Sequence, residues 1–208
     1  MNNRVAIIDY GVGNLRSVLQ AIHFLNVEAE VVSDPQLLFG FTHLILPGVG
    51  SFRRAMISIR ERNLDHILLQ QVMGGTPILG ICLGMQLLAT RSSEDGESLG
   101  LGLIPGDVDR FCFDPASVGL KIPHVGFDTV KPRPHSRLFD GLGTEIDFYF
   151  THSYRLRCKQ DCDIAASSQY GECYVAAVQH GIVAGTQFHP EKSQSNGLRL
   201  LSNFFKYF

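Results

Sequence analysis

Strand and helix signals alternate along the first ninety residues of this chain. Short apolar runs, which are typical of buried strands, are separated by segments whose apolar residues recur with the spacing of one helix face. The predicted strands are 5–9, 29–32, 43–46 and 77–81, and the predicted helical segments are 14–25, 51–73 and 85–90. This alternation needs crossover connections, so it predicts a parallel sheet with helices on both faces.

The second half of the chain has a different pattern. Apolar runs joined by short loops predict strands at 107–111, 147–150, 165–168, 174–178 and 182–188, and a last helix is predicted at 198–204. Short connections favour antiparallel strands, which we expect to extend the same sheet. We find no repeat or linker. The sequence therefore predicts one domain over residues 1–208, an α/β three-layer sandwich with a central mixed, mostly parallel sheet of flavodoxin-like architecture.

Composition excludes several classes of function. The chain has 208 residues, a formal charge of −2 and 45% hydrophobic residues, which suits a domain with a sizeable core. No basic run exceeds a pair, so we expect neither nucleic acid nor membrane as a partner. The apolar run at 5–9 is too short for an export signal. The five cysteines are irregularly spaced, which favours reduced thiols in the cytoplasm.

Metals and nucleotide cofactors are not expected. No set of cysteines and histidines has the fixed spacing of a metal site. The glycine-containing segment 9–14 superficially resembles a dinucleotide-binding loop, but it lacks the third glycine at the required spacing. It still follows the first predicted strand, on the carboxyl side of the sheet, where α/β sites form.

Cys82 lies between a predicted buried strand and a predicted helix, within Gly80-Ile81-Cys82-Leu83-Gly84. A nucleophile elbow has this form, although the pattern is best known with serine. The flanking glycines would permit a sharp turn that exposes the central side chain. A helix N-terminus would also favour a thiolate. A buried structural cysteine is the alternative.

A base and an orienting group are available near the C-terminus. His189 falls at the end of a predicted strand, and Glu191 follows two residues later. Pro190 restricts the backbone between them, which would hold imidazole and carboxylate in a constant relation. Taken alone, this segment is an ordinary surface turn. Together with the elbow, it predicts a Cys-His-Glu arrangement for nucleophilic catalysis.

A third segment could supply hydrogen-bond donors to an oxyanion. The predicted strand 43–46 is followed by Pro47-Gly48-Val49-Gly50, where two glycines would let backbone N–H groups turn towards a bound oxygen. The N–H of Leu83, directly after Cys82, is the second expected donor. An ordinary strand-to-helix loop is the alternative.

Together these segments resemble the triad (class I) glutamine amidotransferases, which take ammonia from glutamine. Within that family the chain is most similar to the glutaminase subunits of imidazole glycerol phosphate synthase. The resemblance covers nearly the whole chain and rests on residues 9–14, 47–50, 80–86, 123–126, 149–154 and 187–193. It implies a class I glutamine amidotransferase-like fold and hydrolysis of L-glutamine to glutamate and ammonia, without a cofactor.

The resemblance also implies roles for individual residues. The catalytic residues would be Cys82, His189 and Glu191, with oxyanion donors at Val49, Gly50 and Leu83. Substrate-binding residues would be Gly48, Gln86, Ser153 and Tyr154. The face towards a partner synthase would include Asn14, Pro123, His124, Phe127 and Lys192. That partner would be a (β/α)₈-barrel cyclase subunit forming a heterodimer and making imidazole glycerol phosphate and AICAR in histidine biosynthesis.

One segment departs from the family pattern. Where the family usually has Met-Gly-Trp-Asn, this chain has Val125-Gly126-Phe127-Asp128. Since the tryptophan position belongs to the partner face, a paralogous glutaminase feeding a sugar-amidating enzyme of surface-polysaccharide synthesis is the alternative. A free-standing thiol hydrolase and a non-catalytic regulatory module are two further hypotheses.

Overall fold

A nine-stranded sheet forms the centre of the molecule. The structure, a computed structural model, describes residues 3–134 and 136–208. The strands are β1 Arg4–Ile8, β2 Glu28–Val32, β3 His43–Gly48, β4 Ile78–Cys82, β5 Ala89–Ser92, β6 Ser98–Leu99, β7 Ile104–Arg110, β8 His124–Pro132, β9 Ile146–His152, β10 Tyr154–Cys158, β11 Ile164–Tyr170, β12 Glu172–His180 and β13 Val183–Thr186. The α-helices are α1 Leu15–Phe24, α2 Phe52–Glu61, α3 Leu64–Met73, α4 Leu83–Leu87, α5 Pro115–Val118 and α6 Gln194–Tyr207.

The central sheet has the strand order β2-β1-β3-β4-β13-β12-β11-β8-β9. The pairs from β2 to β13 are parallel, and the pairs from β13 to β9 are antiparallel. Only β12 and β8 therefore run against the other strands. The predicted mixed, mostly parallel sheet is confirmed, and the parallel pair of β4 and β13 brings the two halves of the chain together at its middle.

The strands of the second half are not all additions to that sheet. β7 pairs with β10 and β5 in a separate four-stranded sheet of order β10-β7-β5-β6. The expectation that segment 107–111 extends the central sheet is therefore wrong. β13 pairs antiparallel with β12, as predicted, and on its other side it pairs parallel with β4. Short loops favour antiparallel neighbours, but they do not determine which sheet a strand joins.

Side chains alternate between two hydrophobic cores on opposite faces of the sheet. In β1, Val5 and Ile7 join the core that contains α1 and α6, whereas Ala6 and Ile8 join the core that contains α2 and α3. This alternation follows from the two-residue period of a strand. The second sheet packs in the α2–α3 core through Ile104 and other residues. The result is the predicted three-layer arrangement.

The helix predicted directly after Cys82 is shorter than expected. α4 ends at Leu87, and the chain continues into β5. The Leu87 and Leu88 carbonyls accept hydrogen bonds from the N–H groups of Leu101 and Ile104. Long-range backbone bonds thus replace the next helical turn. No helix among the described residues is long and apolar enough to cross a membrane.

Candidate active site

Cys82 occupies a strained turn where β4 meets α4. Its backbone has φ +55° and ψ −109°, a conformation that L-residues rarely adopt. The side chain is only 5% exposed and borders a cavity. A nucleophile elbow has this geometry: a non-glycine residue is held in a strained conformation at the end of a central strand.

The glycines around Cys82 serve close packing rather than the turn itself. A Cβ on Gly84 would overlap the Leu46 carbonyl oxygen in β3. A Cβ on Gly80 would lie 2.6 Å from the backbone of Gly84. These glycines let α4 approach β3 and β4 closely, whereas the positive φ belongs to Cys82. Because α4 has only five residues, few peptide dipoles sum at its N-terminus, and side chains must supply most of the stabilisation of a thiolate.

The glycine-rich loop and the cysteine lie side by side. Gly48, the last residue of β3, pairs in register with Cys82 at the end of β4. Val49, Gly50 and Leu83 consequently line the same cavity as the thiol. The predicted oxyanion donors are thus brought together at the carboxyl edge of parallel strands, where ligands bind in α/β folds.

The buried side chain of Tyr10 holds this loop through a hydrogen bond. Its hydroxyl donates to the Pro47 carbonyl at 2.8 Å. A Cβ on Gly48 would collide with the same hydroxyl. Gly48 is therefore needed for this close approach, and it is not among the residues that line the cavity, so its predicted contact with substrate stays a prediction.

His189 and Glu191 form a buried pair. The side chains are 2% and 1% exposed, and His189 Nδ1 lies 2.7 Å from Glu191 Oε1. Because a carboxylate only accepts, Nδ1 carries the proton and Nε2 is left for chemistry. Nε2 has no hydrogen-bond partner of normal geometry among the residues described. The carboxylate thus fixes the tautomer that a general base needs.

Electrostatics favour a charged His189. Burial opposes the charge, but a Cys82 thiolate and the Glu191 carboxylate outweigh it and raise the pKa of His189 to about 10. An opposite charge nearby stabilises the protonated ring. The surroundings of His189 therefore favour its imidazolium form.

The backbone of His189 is held by a residue that sequence reasoning missed. Buried Ser193 donates its hydroxyl to the His189 carbonyl at 2.6 Å and accepts from the N–H of Tyr149 at 3.0 Å. The N–H of His189 in turn donates to the Tyr149 carbonyl at 2.9 Å. Ser193 thus ties the His-Pro-Glu segment to β9. A serine shortly after the histidine was visible in the sequence, but its partners were not.

The cavity beside Cys82 has a volume of about 310 Å³. It is lined by Val49, Gly50, Cys82, Leu83, Gln86, Glu94, Pro123, Thr151, His152, Ser153 and Tyr154. This volume lies at the small end of ligand-binding cavities. The lining combines an apolar wall with a few polar groups, as expected of a site for a small polar metabolite.

Glu94 contributes the carboxylate in this lining, and it was not among the predicted site residues. It lies in a Ser-, Glu- and Asp-rich loop whose composition is that of a solvated turn. Its carboxylate accepts from the N–H of Phe52 at 2.8 Å. Burial raises the pKa of Glu94 above its usual value, and the Phe52 N–H opposes the rise. The site thus contains one acidic group suited to a cationic ligand atom.

Gln86 is oriented by protein acceptors. Its Nε2 donates to the Tyr154 carbonyl and to Gln187 Oε1, each at 3.0 Å. The Tyr154 carbonyl also accepts from His152 Nδ1 at 2.8 Å, so both of its lone pairs are occupied. The Ser153 carbonyl accepts from the N–H of Phe111. Contacts between Tyr154 and a ligand must therefore use atoms other than its carbonyl.

An exposed face adjoins the cavity. Val49 lines the cavity and is 40% exposed, and the apolar side chains of Val12, Val125 and Phe127 are 37–57% exposed. Lys192 is exposed and stacks its Nζ over the Tyr149 ring at 5.5 Å, and Phe127 contacts the same ring. Asn14 precedes α1 and is half-buried, while Pro123 is exposed and lines the cavity.

His124 differs from the other residues predicted for the partner face. Its side chain is 3% exposed and stacks on Phe150 and Tyr170. His124 pairs in register with His152, and their rings lie 3.3 Å apart between Nδ1 and Nε2. His124 thus points from β8 into the aromatic core rather than to the surface, and its assignment to the partner face stays a prediction. No cluster of metal-binding side chains occurs among residues 3–134 and 136–208.

Comparison with known protein families agrees with this fold and geometry. The family model described as "Glutamine amidotransferase class-I" matches residues 6–208. The chain therefore belongs to the class-I glutamine amidotransferases, and the predicted resemblance is confirmed.

The chain is also similar over nearly its full length to individual proteins of known sequence or structure. The chain is 46% identical over 210 residues to imidazole glycerol phosphate synthase subunit HisH 2 of Nitrobacter winogradskyi, with 98% of each chain covered. It is 43% identical to subunit HisH of Moorella thermoacetica, covering 96% of this chain and 93% of that one. Among solved structures, PurLQS from Thermotoga maritima superposes with a TM-score of 0.79 at 20% identity, covering 100% and 99% of the chains, which supports the fold alone.

Proposed function

We propose that this chain is the glutaminase subunit of an imidazole glycerol phosphate synthase, acting in the cytoplasm as one catalytic domain over residues 1–208. The observation that carries the proposal is the meeting of Cys82 with the buried His189–Glu191 pair beside a small cavity. Membership of the family supports glutamine as substrate. The relatives support the pathway, since their names assign them to that synthase.

Catalysis begins with attack of the Cys82 thiolate on the carboxamide carbon of glutamine. A C–S bond forms, and the carbonyl oxygen becomes an oxyanion bound by the N–H of Leu83 and that of Val49 or Gly50. The intermediate collapses with cleavage of the C–N bond, while His189 Nε2 gives its proton to the departing nitrogen. Ammonia and a γ-glutamyl thioester result.

Hydrolysis of the thioester returns the enzyme to its starting state. His189, now neutral, accepts a proton from water as the water oxygen attacks the thioester carbon. Cleavage of the C–S bond releases glutamate and restores the thiolate–imidazolium pair. Glu191 keeps Nδ1 protonated throughout and stabilises the charged ring. No metal or cofactor is needed for these steps.

The amino-acid end of glutamine would bind at the far side of the cavity from Cys82. Glu94 supplies a carboxylate for the α-ammonium group. Gln86, whose Nε2 already has protein acceptors, presents its Oε1 to the ligand. Ser153 and Tyr154 complete this part of the lining. A charge-assisted contact to Glu94 would discriminate against amides that lack an α-amino group.

The product explains the need for a partner. Ammonia that reaches bulk water is protonated and lost as a nucleophile, so direct transfer to an acceptor enzyme is favourable. The exposed apolar side chains around the cavity, with Asn14, Pro123 and Lys192, would contact that enzyme, a (β/α)₈-barrel cyclase subunit, in a heterodimer. An exposed apolar patch beside an active site is typical of a protein interface.

A glutamine-like diazo-ketone tests the chemical part of the proposal. It should label Cys82 in the purified chain and leave Cys112, Cys158, Cys162 and Cys173 unmodified, as read by peptide mass spectrometry. A different labelled cysteine would refute the assignment. Glutamine turnover measured with the barrel subunit and with a sugar-amidating enzyme tests the pathway, because activation by the latter alone would select the paralogous function.

A further inference from the structure

Gln187 is a fully buried polar residue whose side chain lies between Cys82 and Gln86. It follows β13 directly, and its N–H donates to the Ala176 carbonyl at 2.8 Å. Its side-chain Nε2 lies 3.8 Å from Cys82 Sγ. Its Oε1 accepts from Gln86 Nε2 at 3.0 Å. A buried amide with both ends engaged is a positioned group rather than a filler of space.

The orientation of this amide follows from its neighbours. The Tyr154 carbonyl can only accept, so the Gln86 atom that faces it must be Nε2. The same Nε2 lies next to the Gln187 side chain, which must therefore present its oxygen to Gln86. The nitrogen of Gln187 then faces the sulfur. If the Gln187 amide were flipped, its NH₂ group would face the NH₂ group of Gln86, and its oxygen would face the sulfur of Cys82. The Tyr154 carbonyl in β10 therefore fixes the orientation of both side-chain amides.

The thiolate needs such a donor. In the neutral state, the Cys82 S–H points to the Thr151 carbonyl at 3.7 Å. Once the proton leaves, this carbonyl oxygen faces a negative sulfur and destabilises it. The short α4 offers little dipole to compensate. Gln187 Nε2 is an uncharged donor at the sulfur, and hydrogen bonds to charged groups are stronger than those between neutral groups.

We propose that Gln187 is a further catalytic residue: its amide donates to the Cys82 thiolate through Nε2 and, through Oε1, holds Gln86 in the orientation that receives glutamine. The inference rests on the proposed glutaminase function for its biological meaning, but the contact with the thiolate does not require turnover. Gln187 also links the two ends of the site, because its amide contacts both the nucleophile Cys82 and Gln86, which would bind the amino-acid end of the substrate.

The test measures the alkylation of Cys82 as a function of pH. The wild-type chain, Gln187→Met and the near-isosteric Gln187→Glu are treated with iodoacetamide, and the Cys82 peptide is quantified by mass spectrometry. We expect the pH midpoint of Cys82 alkylation to rise by about one unit in Gln187→Met, a tenfold change in equilibrium. A larger rise is expected in Gln187→Glu, where a carboxylate would face the sulfur.

Gln71→Leu is the matched control. Gln71 is also a buried glutamine, but its Oε1 accepts from Thr76 in the region of α3. Its replacement should leave the Cys82 midpoint unchanged. Circular dichroism verifies folding, and Gln187→Glu decides the outcome if Gln187→Met does not fold. An unchanged midpoint in either folded Gln187 variant would overturn the proposal. Absence of glutamine turnover in the wild type would instead refute the glutaminase function and leave the alkylation result interpretable.

Discussion

Three residues in the site owe their properties to their immediate neighbours. Cys82 has a strained backbone that exposes its sulfur to the cavity. The pKa of His189 is raised because its interactions with Cys82 and Glu191 outweigh its burial. Glu191 is almost fully buried, with one oxygen on the imidazole and the other without a partner among the described residues. Each buried charge alone would carry a desolvation cost, and the attraction between opposite charges offsets that cost.

Replacing His189 should cost more activity than replacing Glu191. His189→Asn removes both proton transfers, and we expect glutamine kcat/KM to fall by about 10³-fold or more. In Glu191→Gln the new amide oxygen can still accept from Nδ1, so the tautomer survives without the charge. We expect a fall roughly tenfold smaller. Steady-state kinetics of the variants in complex with the synthase measure both, and equal losses would show that Glu191 has a further role.

Ser193→Ala should affect stability and activity together. The substitution leaves the buried N–H of Tyr149 and the His189 carbonyl without their shared partner. We expect a loss of about 1–3 kcal/mol in the free energy of unfolding, the cost of an unsatisfied buried group. Urea unfolding gives this value, and Ser33→Ala, at an exposed position outside the helices and strands, is the control. A stable Ser193→Ala variant with lowered kcat would assign the serine a purely positional role.

At the scale of elements, the central strand–turn–helix unit was predictable because its signals are local. An apolar run, a cysteine between glycines and a helical pattern lie within a few residues of one another. Glu94 and Gln187 were missed because their partners are distant in sequence: Phe52 for Glu94, and Cys82 with Gln86 for Gln187. The extent of α4 was misjudged for the same reason, since the carbonyls of Leu87 and Leu88 bond to a segment beyond residue 100.

Gly84→Ala should disrupt this unit. The added methyl group would overlap the backbone oxygen of Leu46. Because Gly84 is in α4 and Leu46 is in β3, the overlap cannot be relieved without displacing a central strand. We expect a loss of about 2 kcal/mol or more in the free energy of unfolding, together with lower activity. Gly143→Ala is the matched control, because its added carbon would make only an ordinary contact with Glu145, and we expect a change within about 0.5 kcal/mol. Equal losses in urea unfolding would contradict the close-packing account.

At the scale of the whole molecule, alternating strands and helices predicted three layers but not the second sheet. Periodicity shows which residues of a strand are buried, and it does not show which strand pairs with which. β7 carries the same alternation as a strand of the central sheet, yet it joins β10 and β5. The family resemblance located the site, whereas the aromatic core around His124 and His152 became visible only in three dimensions.

That aromatic core should make the fold sensitive to acid. Burial lowers the pKa of His152 from 6.5 to about 3, although its hydrogen bond to the Tyr154 carbonyl opposes the shift. Burial also lowers the pKa of His124, with Asp128 opposing. Between pH 6.5 and 3 the unfolded chain binds a proton at residue 152 that the folded chain does not. Stability is therefore retained above pH 6.5 and lost as the pH falls through this window.

Urea unfolding at pH 7.5, 6 and 5 measures the effect. The contribution of one such histidine has a maximum slope of about 1.4 kcal/mol per pH unit. His152→Gln should flatten the dependence, whereas His66→Gln, at an exposed position on α3, should leave it unchanged. The same slope in the wild type and in His152→Gln would contradict the assignment.

Nitrogen transfer in the complete complex shows whether Cys82 releases the ammonia that enters the product. The chain and the proposed synthase subunit are supplied with the acceptor substrate, glutamine labelled with ¹⁵N in the amide, and unlabelled ammonium. We expect ¹⁵N in the product of the wild-type complex despite the competing ammonium. With Cys82→Ala, the product should form from ammonium alone and contain no label. Label from glutamine in the product of the Cys82→Ala complex would contradict the account.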